Sequence, residues 1–267
     1  MSERCEVHRM GVIPYQQAWE LQEALAVEIA AGRRDPTLLL LQHPPTYTFG
    51  SRGQSENLLW DEAELERRGV SVHWVDRGGD VTYHGPGQLV GYPLLPLGKV
   101  NYNPQNGQVC LPQADYVGYL RKLEEVLILA LADLAVETFR VAGLTGVWVS
   151  HDDSTINRTD PQSTNSNQQS SILKIASIGV KVDAKGVSRH GFALNVDPDM
   201  SYWEGIIACG LHDYEETSLA ELLDPTPPLG AVMDKIIGSF GQVFGYLMVE
   251  NASSINGGDM GLQSKNS

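Results

Sequence analysis

An α/β architecture, a mixed sheet with flanking helices, follows from three features of this 267-residue sequence. Stretches of helical and of strand periodicity follow one another without the regular strand–helix–strand rhythm of an all-parallel sheet. Glycine is frequent, with 27 residues, which suits many tight turns. Hydrophobic residues make up 42% of the chain, enough to fill the core of one large domain. That domain is expected over residues 1–250, with a disordered tail at 251–267.

The elements follow in order. Residues 6–12 read as a short strand, and Pro14 stands where a helix begins. Ala18, Leu21, Leu25 and Ile29 recur at helical spacing between Tyr15 and Ala31, and Gly32 marks the stop. Thr37–Leu41 is a buried strand ended by Pro44-Pro45. Asp61 caps a helix that runs through Arg68 and closes at Gly69, and Val70–Val75 is the next strand. Residues 80–97 read as a hairpin rich in Gly and Pro. A long helix spans about Gln113–Leu134, with Val117, Leu120, Leu123, Leu127 and Leu131 as its apolar stripe. Strands follow near 145–149, 172–182 and 187–196, and a helix over Leu229–Met248 closes the fold. Residues 151–171 hold a single large apolar side chain, Ile156. Such a stretch buries too little surface to offset its ordering entropy, so a disordered insertion is expected there.

Charge and cysteine usage narrow the function. The net charge of −14 argues against general nucleic-acid binding, which needs a basic face. No apolar run is long enough for a membrane helix, and the start MSERCEVHRM has no secretory h-region, so neither membrane nor export is expected. Three cysteines, Cys5, Cys110 and Cys209, form no disulfide framework and suit a reduced, cytoplasmic protein. Eight arginines (Arg4, Arg9, Arg33, Arg34, Arg52, Arg67, Arg68 and Arg77) fall in the first 80 residues, while residues 200–267 carry nine acids against two bases. Arginines that share a face would dock an acidic partner; scattered solvated charges are the alternative.

Chemistry concentrates in three patches and one cysteine. Arg77-Gly-Gly-Asp-Val-Thr-Tyr-His-Gly-Pro-Gly-Gln88 combines glycines that let a ligand approach the backbone with a cation and a histidine. It matches neither a phosphate loop nor a dinucleotide fingerprint; an elaborate hairpin turn is the structural alternative. In Lys174-Ile-Ala-Ser-Ile-Gly179, strand alternation puts Lys174, Ala176 and Ile178 on one face. The lysine is either a used charge or a guard on an edge strand. In His190-Gly-Phe-Ala-Leu-Asn195 the small residues leave room for a ligand or for a neighbouring backbone. Cys209, before Gly210, is by composition a small buried hydrophobe unless a cation holds its thiolate. Lys174, His84, His190 and His212 are the candidates for that cation or base.

These blocks and their order resemble the lipoyl(octanoyl)transferase family over most of residues 5–248. The resemblance implies an α/β fold similar to biotin and lipoate protein ligases. It also implies an acyltransferase that uses neither ATP nor a cofactor. Octanoyl-acyl carrier protein would be the donor. The acceptors would be lipoyl domains of 2-oxoacid dehydrogenase complexes and the glycine cleavage H protein, in the first step of endogenous protein lipoylation. Cys209 would carry the acyl thioester and Lys174 would favour its thiolate. Arg77, Gly78, Gly79, Asp80, Val81, Thr82, Tyr83 and His84 would line the acyl pocket with Ser177, Ile178, Gly179, Gly191, Phe192 and Ala193. No metal is implied. Two departures stand out: the insertion at 151–171 is long for the family, and Ala208 replaces a proline common before the cysteine. An ATP-using ligase and a non-catalytic acyl-protein binding module are the competing readings. Dependence on ATP separates the first, and the joint presence of Lys174 and Cys209 argues against the second.

Overall fold

The computed structural model describes residues 3–98, 101–103, 108–110, 115–151, 171–208 and 214–250. In chain order the first half contains β1 (Arg4–Val12), α1 (Tyr15–Ala30), β2 (Thr37–Gln42), β3 (Thr46–Phe49), α2 (Glu62–Arg68), β4 (Ser71–Trp74), β5 (Val81–His84) and β6 (Gln88–Leu94). There follow β7 (Asn101–Asn103), β8 (Gln108–Cys110), α3 (Tyr116–Ala132), β9 (Val147–His151), β10 (Ser171–Val182), β11 (Ser188–Asn195), β12 (Glu215–Glu216), α4 (Leu219–Leu222), α5 (Leu229–Phe244) and β13 (Leu247–Glu250).

The main sheet has the order β12-β10-β11-β6-β2-β1-β13, with β9 also paired to β10. It is mixed: β1 runs parallel to β2 and β13, whereas β2, β6, β11 and β10 pair antiparallel in turn. The run Thr-Leu-Leu-Leu-Leu in β2 is continuously apolar because both faces of the sheet are covered. Leu38 and Leu40 enter a large core with α3 and α5; Leu39 and Leu41 enter a second core under α1. On α3 the side chains of Leu123, Leu127 and Leu131 are buried as the stripe predicts, but Val117 is 67% exposed and Tyr119 takes the inner position instead. Truncating a fully buried leucine of this kind to alanine costs about 2–5 kcal/mol.

A second, three-stranded sheet, β4-β3-β5, carries its own aromatic core. Tyr47, Phe49, Val81 and Tyr83 pack there with Ile206 and with the partly buried Trp60, Tyr202 and Trp203. Helix α2 joins it as expected, with the Asp61 side chain accepting from Glu64 N at 2.9 Å and Gly69 closing the helix at φ 66°.

Three expectations are corrected. Residues 80–97 are not a hairpin: β5 pairs with β3 in the small sheet, and β6 pairs with β2 and β11 in the large one. The Gly-Pro-Gly turn passes the chain between sheets. The last helix stops at Phe244, where Gly245 adopts φ 77°, and Leu247–Glu250 forms an edge strand beside β1. The third concerns Lys174. The β9–β10 register steps two residues on β10, from Lys174 to Ala176, for one on β9, from Trp148 to Val147, which makes Ile175 a bulge. Ile175 and Ala176 therefore both enter the large core, as do Val147 and Val149. Lys174 is turned to the other face with Trp148, away from Ala176 and Ile178. The expected insertion, between β9 and β10, and the expected tail from residue 251 lie outside the described residues.

Candidate active site

The three glycine-bearing patches meet in one cleft of about 420 Å3, open mouth included. Its walls are Arg77–Gly79, Thr82 and His84 from the small-sheet side, Ser177–Gly179 from β10 and Gly191–Ala193 from β11. The β10–β11 register sets Ser177 opposite Ala193 and Gly179 opposite Gly191. Close approach requires glycine at position 191 and leaves little room for more at position 179. A Cβ on Gly191 would lie 2.1 Å from Gly91 O, and one on Gly179 would lie 3.0 Å from both Arg77 Cδ and Gly78 O.

Strand alternation divides the first patch. Thr82 and His84 face the cleft, while Val81 and Tyr83 belong to the small-sheet core. Asp80 is a scaffold residue: its carboxylate accepts from Val81 N at 2.7 Å, from Gln54 N at 3.2 Å and from the Asn57 amide. Arg77, itself buried, donates from Nη2 to Thr48 O at 2.5 Å and Oγ1 at 2.9 Å, and from Nη1 to Gly78 O at 2.9 Å. Its guanidinium closes the end of the cleft beyond Gly179.

His84 is fixed by a chain of hydrogen bonds. Gln88 Nε2 donates to Tyr83 O at 3.0 Å and to Asn195 Oδ1 at 2.9 Å, so Gln88 Oε1 is the acceptor facing His84 Nδ1 at 2.8 Å. The ring proton is thereby assigned to Nδ1, and Nε2 faces Thr48 Oγ1 at 3.3 Å. Burial, reinforced by the charge of any proton on His43, holds the His84 pKa well below the usual histidine value. His190 sits at φ 57°, with Nε2 at 2.8 Å from Asp76 Oδ1 and Nδ1 at 3.3 Å from the Tyr15 hydroxyl. Burial lowers its pKa as well, opposed by Asp76, whose own pKa falls to about 2 through its hydrogen bond to His190 and its contact with Arg189. His43 completes the cluster: Nδ1 donates to Ile13 O at 2.7 Å, Nε2 accepts from Tyr92 Oη at 2.7 Å, and burial brings its pKa down to about 4. These three imidazoles are neutral at pH 7, which suits them to shaping the site rather than to holding an anion.

Lys174 is 4% exposed on an interior strand, so it is not an edge guard. Its Nζ stands 3.9 Å from Glu216 Oε1 on β12 and 5.6 Å from the centre of the Trp148 ring. Three buried polar atoms near this face, Ser177 Oγ, Thr82 Oγ1 and Trp148 Nε1, have no hydrogen-bond partner among the described residues. Ser177 and Thr82 are cleft residues, so a ligand's polar end is their natural partner.

Cys209, Gly210 and His212 lie outside the described residues. Cys5 is buried and its thiol is pushed up to about 12 by burial and by Glu6, which makes it inert. Tyr15, His43, Asp76, Trp148 and Glu216 were not singled out by sequence reasoning. His43 precedes the conspicuous Pro44-Pro45, which is the one local signal among them. The expected arginine face is largely committed within the chain. Arg33 pairs with Glu28, Arg34 with Glu6, Arg67 and Arg68 with Glu64, and Arg9 with Asp234 and Glu250. Among the described residues no cluster of His, Cys, Asp and Glu side chains is arranged to hold a metal, and no helix is long and apolar enough to cross a membrane.

Comparison with known proteins gives the family and the fold. Residues 14–241 match the lipoyl protein ligase A/B catalytic domain. An octanoyltransferase of Chloroflexus aurantiacus is 43% identical over 238 residues, covering 89% of this chain and 93% of the relative. One from Acidobacterium capsulatum is 42% identical over 241 residues, 89% of each chain. Among solved structures, the bipartite lipoate protein ligase of Thermoplasma acidophilum superposes with a TM-score of 0.61 at 16% identity, covering 94% of this chain and 87% of that one. A lipoate-protein ligase A with ATP bound gives 0.58 at 15% identity, covering 95% and 91%. The two structures share the fold.

Proposed function

The chain belongs to the octanoyltransferases, acyltransferases of the lipoyl protein ligase A/B catalytic family, and from that premise we propose that it carries an octanoyl group on Cys209. The donor in this reading is octanoyl-acyl carrier protein, and the acceptor is the lysine amine of lipoyl domains in 2-oxoacid dehydrogenase complexes and the glycine cleavage H protein. The observation that carries the reading is the cleft itself: glycine and apolar walls from three strands, with the buried Lys174 ammonium on the face of β10 that bears Ser177 and Gly179. An extended octanoyl chain is roughly 10 Å long, about three residues of strand, a length in keeping with a cleft lined on β10 by Ser177 to Gly179.

The steps balance as two acyl transfers. The Cys209 thiolate attacks the donor's thioester carbonyl, and after the oxyanion collapses the carrier's phosphopantetheine thiolate leaves. The acceptor amine then attacks the acyl-enzyme, a C–N bond replaces the C–S bond, Cys209 departs as thiolate, and the amine proton passes to solvent. A free thiol with a pKa of about 8.5 is mostly protonated at neutral pH, so a neighbouring ammonium raises the reactive fraction. Both transfers start from a thioester, which supplies the activation that a ligase draws from ATP; a cytoplasmic setting, where such carriers reside, belongs to the same reading. His84 and His190, neutral and held by partners, shape the pocket.

The test is intact-mass spectrometry after incubation with octanoyl-carrier and no nucleotide. One added octanoyl mass on the peptide containing Cys209 is expected. Transfer by Cys209→Ala at the parent rate, or a strict need for ATP, refutes the mechanism.

A further inference from the structure

Glu216 has no part in the transfer chemistry above, yet it is 7% exposed at its side chain and stands beside Lys174. Strand β12 is only two residues long and pairs parallel to β10, with Glu216 in register with Lys174. Backbone bonding fixes the pairing further: Thr217 N donates to Lys174 O at 2.9 Å, and the Thr217 carbonyl accepts from Asn195 Nδ2 at 2.9 Å. The carboxyl and the ammonium therefore face each other by strand register, not by a chance rotamer. Glu216 Oε1 lies 3.9 Å from Nζ, and Oε2 is buried without a hydrogen-bond partner among the described residues. A buried carboxylate with one distant cation and an unsatisfied oxygen is costly to keep charged.

We propose that Glu216 is a positioning residue for Lys174: it holds the ammonium at the cleft and, by gaining or losing a proton, sets how much positive charge the lysine presents to the reacting acyl group. The proposal rests on the transferase reading of the site. With Glu216 ionised, the pair is nearly neutral and offers less to a thiolate or an oxyanion. With Glu216 protonated, this carboxylate no longer offsets the charge of Lys174. Burial raises the Glu216 pKa to about 7 while Lys174 pulls it down, so the change of state falls in the working range of pH.

Among the described residues, the other charged neighbours are placed differently. On β12 itself Glu215 is exposed. On α4, Glu221 Oε2 is occupied by Thr217 Oγ1 at 2.8 Å and Ser218 N at 3.2 Å. From α3, Glu124 reaches Gly146 N at 3.3 Å, beside the Lys174 stem, but it is already matched by Arg121 at 2.6 Å and Arg140 at 3.0 Å. From β9 the contact is the uncharged Trp148 ring.

Two measurements on the full-length protein test this. Carbon-13 NMR of glutamate carboxyls, with the Glu216 signal identified by its loss in Glu216→Gln, should show a titration near neutrality that moves upward in Lys174→Met. A Glu216 signal that titrates in the ordinary range below pH 5, or ignores Lys174→Met, overturns the pairing. The pH profile of kcat with octanoyl-carrier should contain an inflection near pH 7. Glu216→Gln should remove it while leaving KM for the carrier unchanged, and Glu216→Asp should restore it. An inflection that persists in Glu216→Gln overturns the proposal, provided its thermal midpoint matches the parent; if Glu216→Gln is poorly folded, Glu216→Asp and the NMR shift in Lys174→Met decide. The NMR titration needs no acyl donor, so its result stands apart from whether Cys209 carries the acyl group.

Discussion

Two buried cations stand near the cleft-facing side of β10, Arg77 in the wall of the cleft and Lys174 farther along the strand, and their surroundings differ. Arg77 spreads its guanidinium over the backbone and hydroxyl oxygens of Thr48 and the carbonyl of Gly78, all neutral acceptors at hydrogen-bond distance. Lys174 has among its neighbours a carboxyl oxygen 3.9 Å away and an aromatic ring. A planar fork suits a wall, because several fixed bonds share the charge. A compact ammonium beside a titratable partner suits a working charge. The difference teaches that burial alone does not say what a cation does; the chemistry of the groups around it has to be read beside it.

Substitutions of the two cations test that contrast most directly. Lys174→Met keeps the length of the stem and removes the charge, and a lost electrostatic contact of this sort lowers kcat by roughly 100- to 1,000-fold. Stability should change far less than activity, since Glu216 can take up a proton once its cation is gone. Single-turnover kinetics beside a urea melt would check both, and a stability loss in proportion to the activity loss would erase the distinction. Arg77→Met should do the reverse. It strands the buried acceptors of Thr48 and Gly78, which costs about 1–3 kcal/mol in unfolding free energy. Its kinetic effect should fall on KM for the acyl donor more than on single-turnover chemistry.

Gly179→Ala is the mildest change and sharpens the comparison into a length measurement. The new methyl would stand 3.0 Å from Arg77 Cδ and Gly78 O, at the closed end of the cleft. Loss of about one methylene of room changes discrimination by roughly 10-fold. The ratio of kcat/KM for hexanoyl- over octanoyl-carrier should therefore rise about that much, while the reactive end stays as it was. An unchanged ratio would mean that the acyl tail does not reach Gly179.

The same contrast explains what could be read from the chain. Elements whose signals are local were legible: Asp61 and Gly69 bracket α2, and the all-leucine β2 announces a strand covered on both faces. The three glycine-bearing patches were legible as well, because glycine forced by close approach leaves a mark in composition. Features that depend on distant pairing were not. β3 is four residues of alternating Thr and aromatic after two prolines, too short to declare itself. The turn residues between β5 and β6 look alike whether the strands join one sheet or two. The apolar pattern of α5 runs through Gly245 into β13, so the helix seemed longer than it is. Glu216 reads as one more acid in an acidic stretch until strand register sets it against Lys174.

The bulge at Ile175 gives the site an unusual encoding. Which way Lys174 points is decided by the bulge between it and the regular part of β10, not by its own chemistry. In unbroken alternation with the rest of the strand, the same lysine would share the face of Ala176 and point into the apolar core. Because Ile175 and Ala176 together take the one position opposite Val147, the strand absorbs a residue without turning its charge inward. Straightening the strand, rather than shortening it, is the change that would bury the ammonium among apolar side chains.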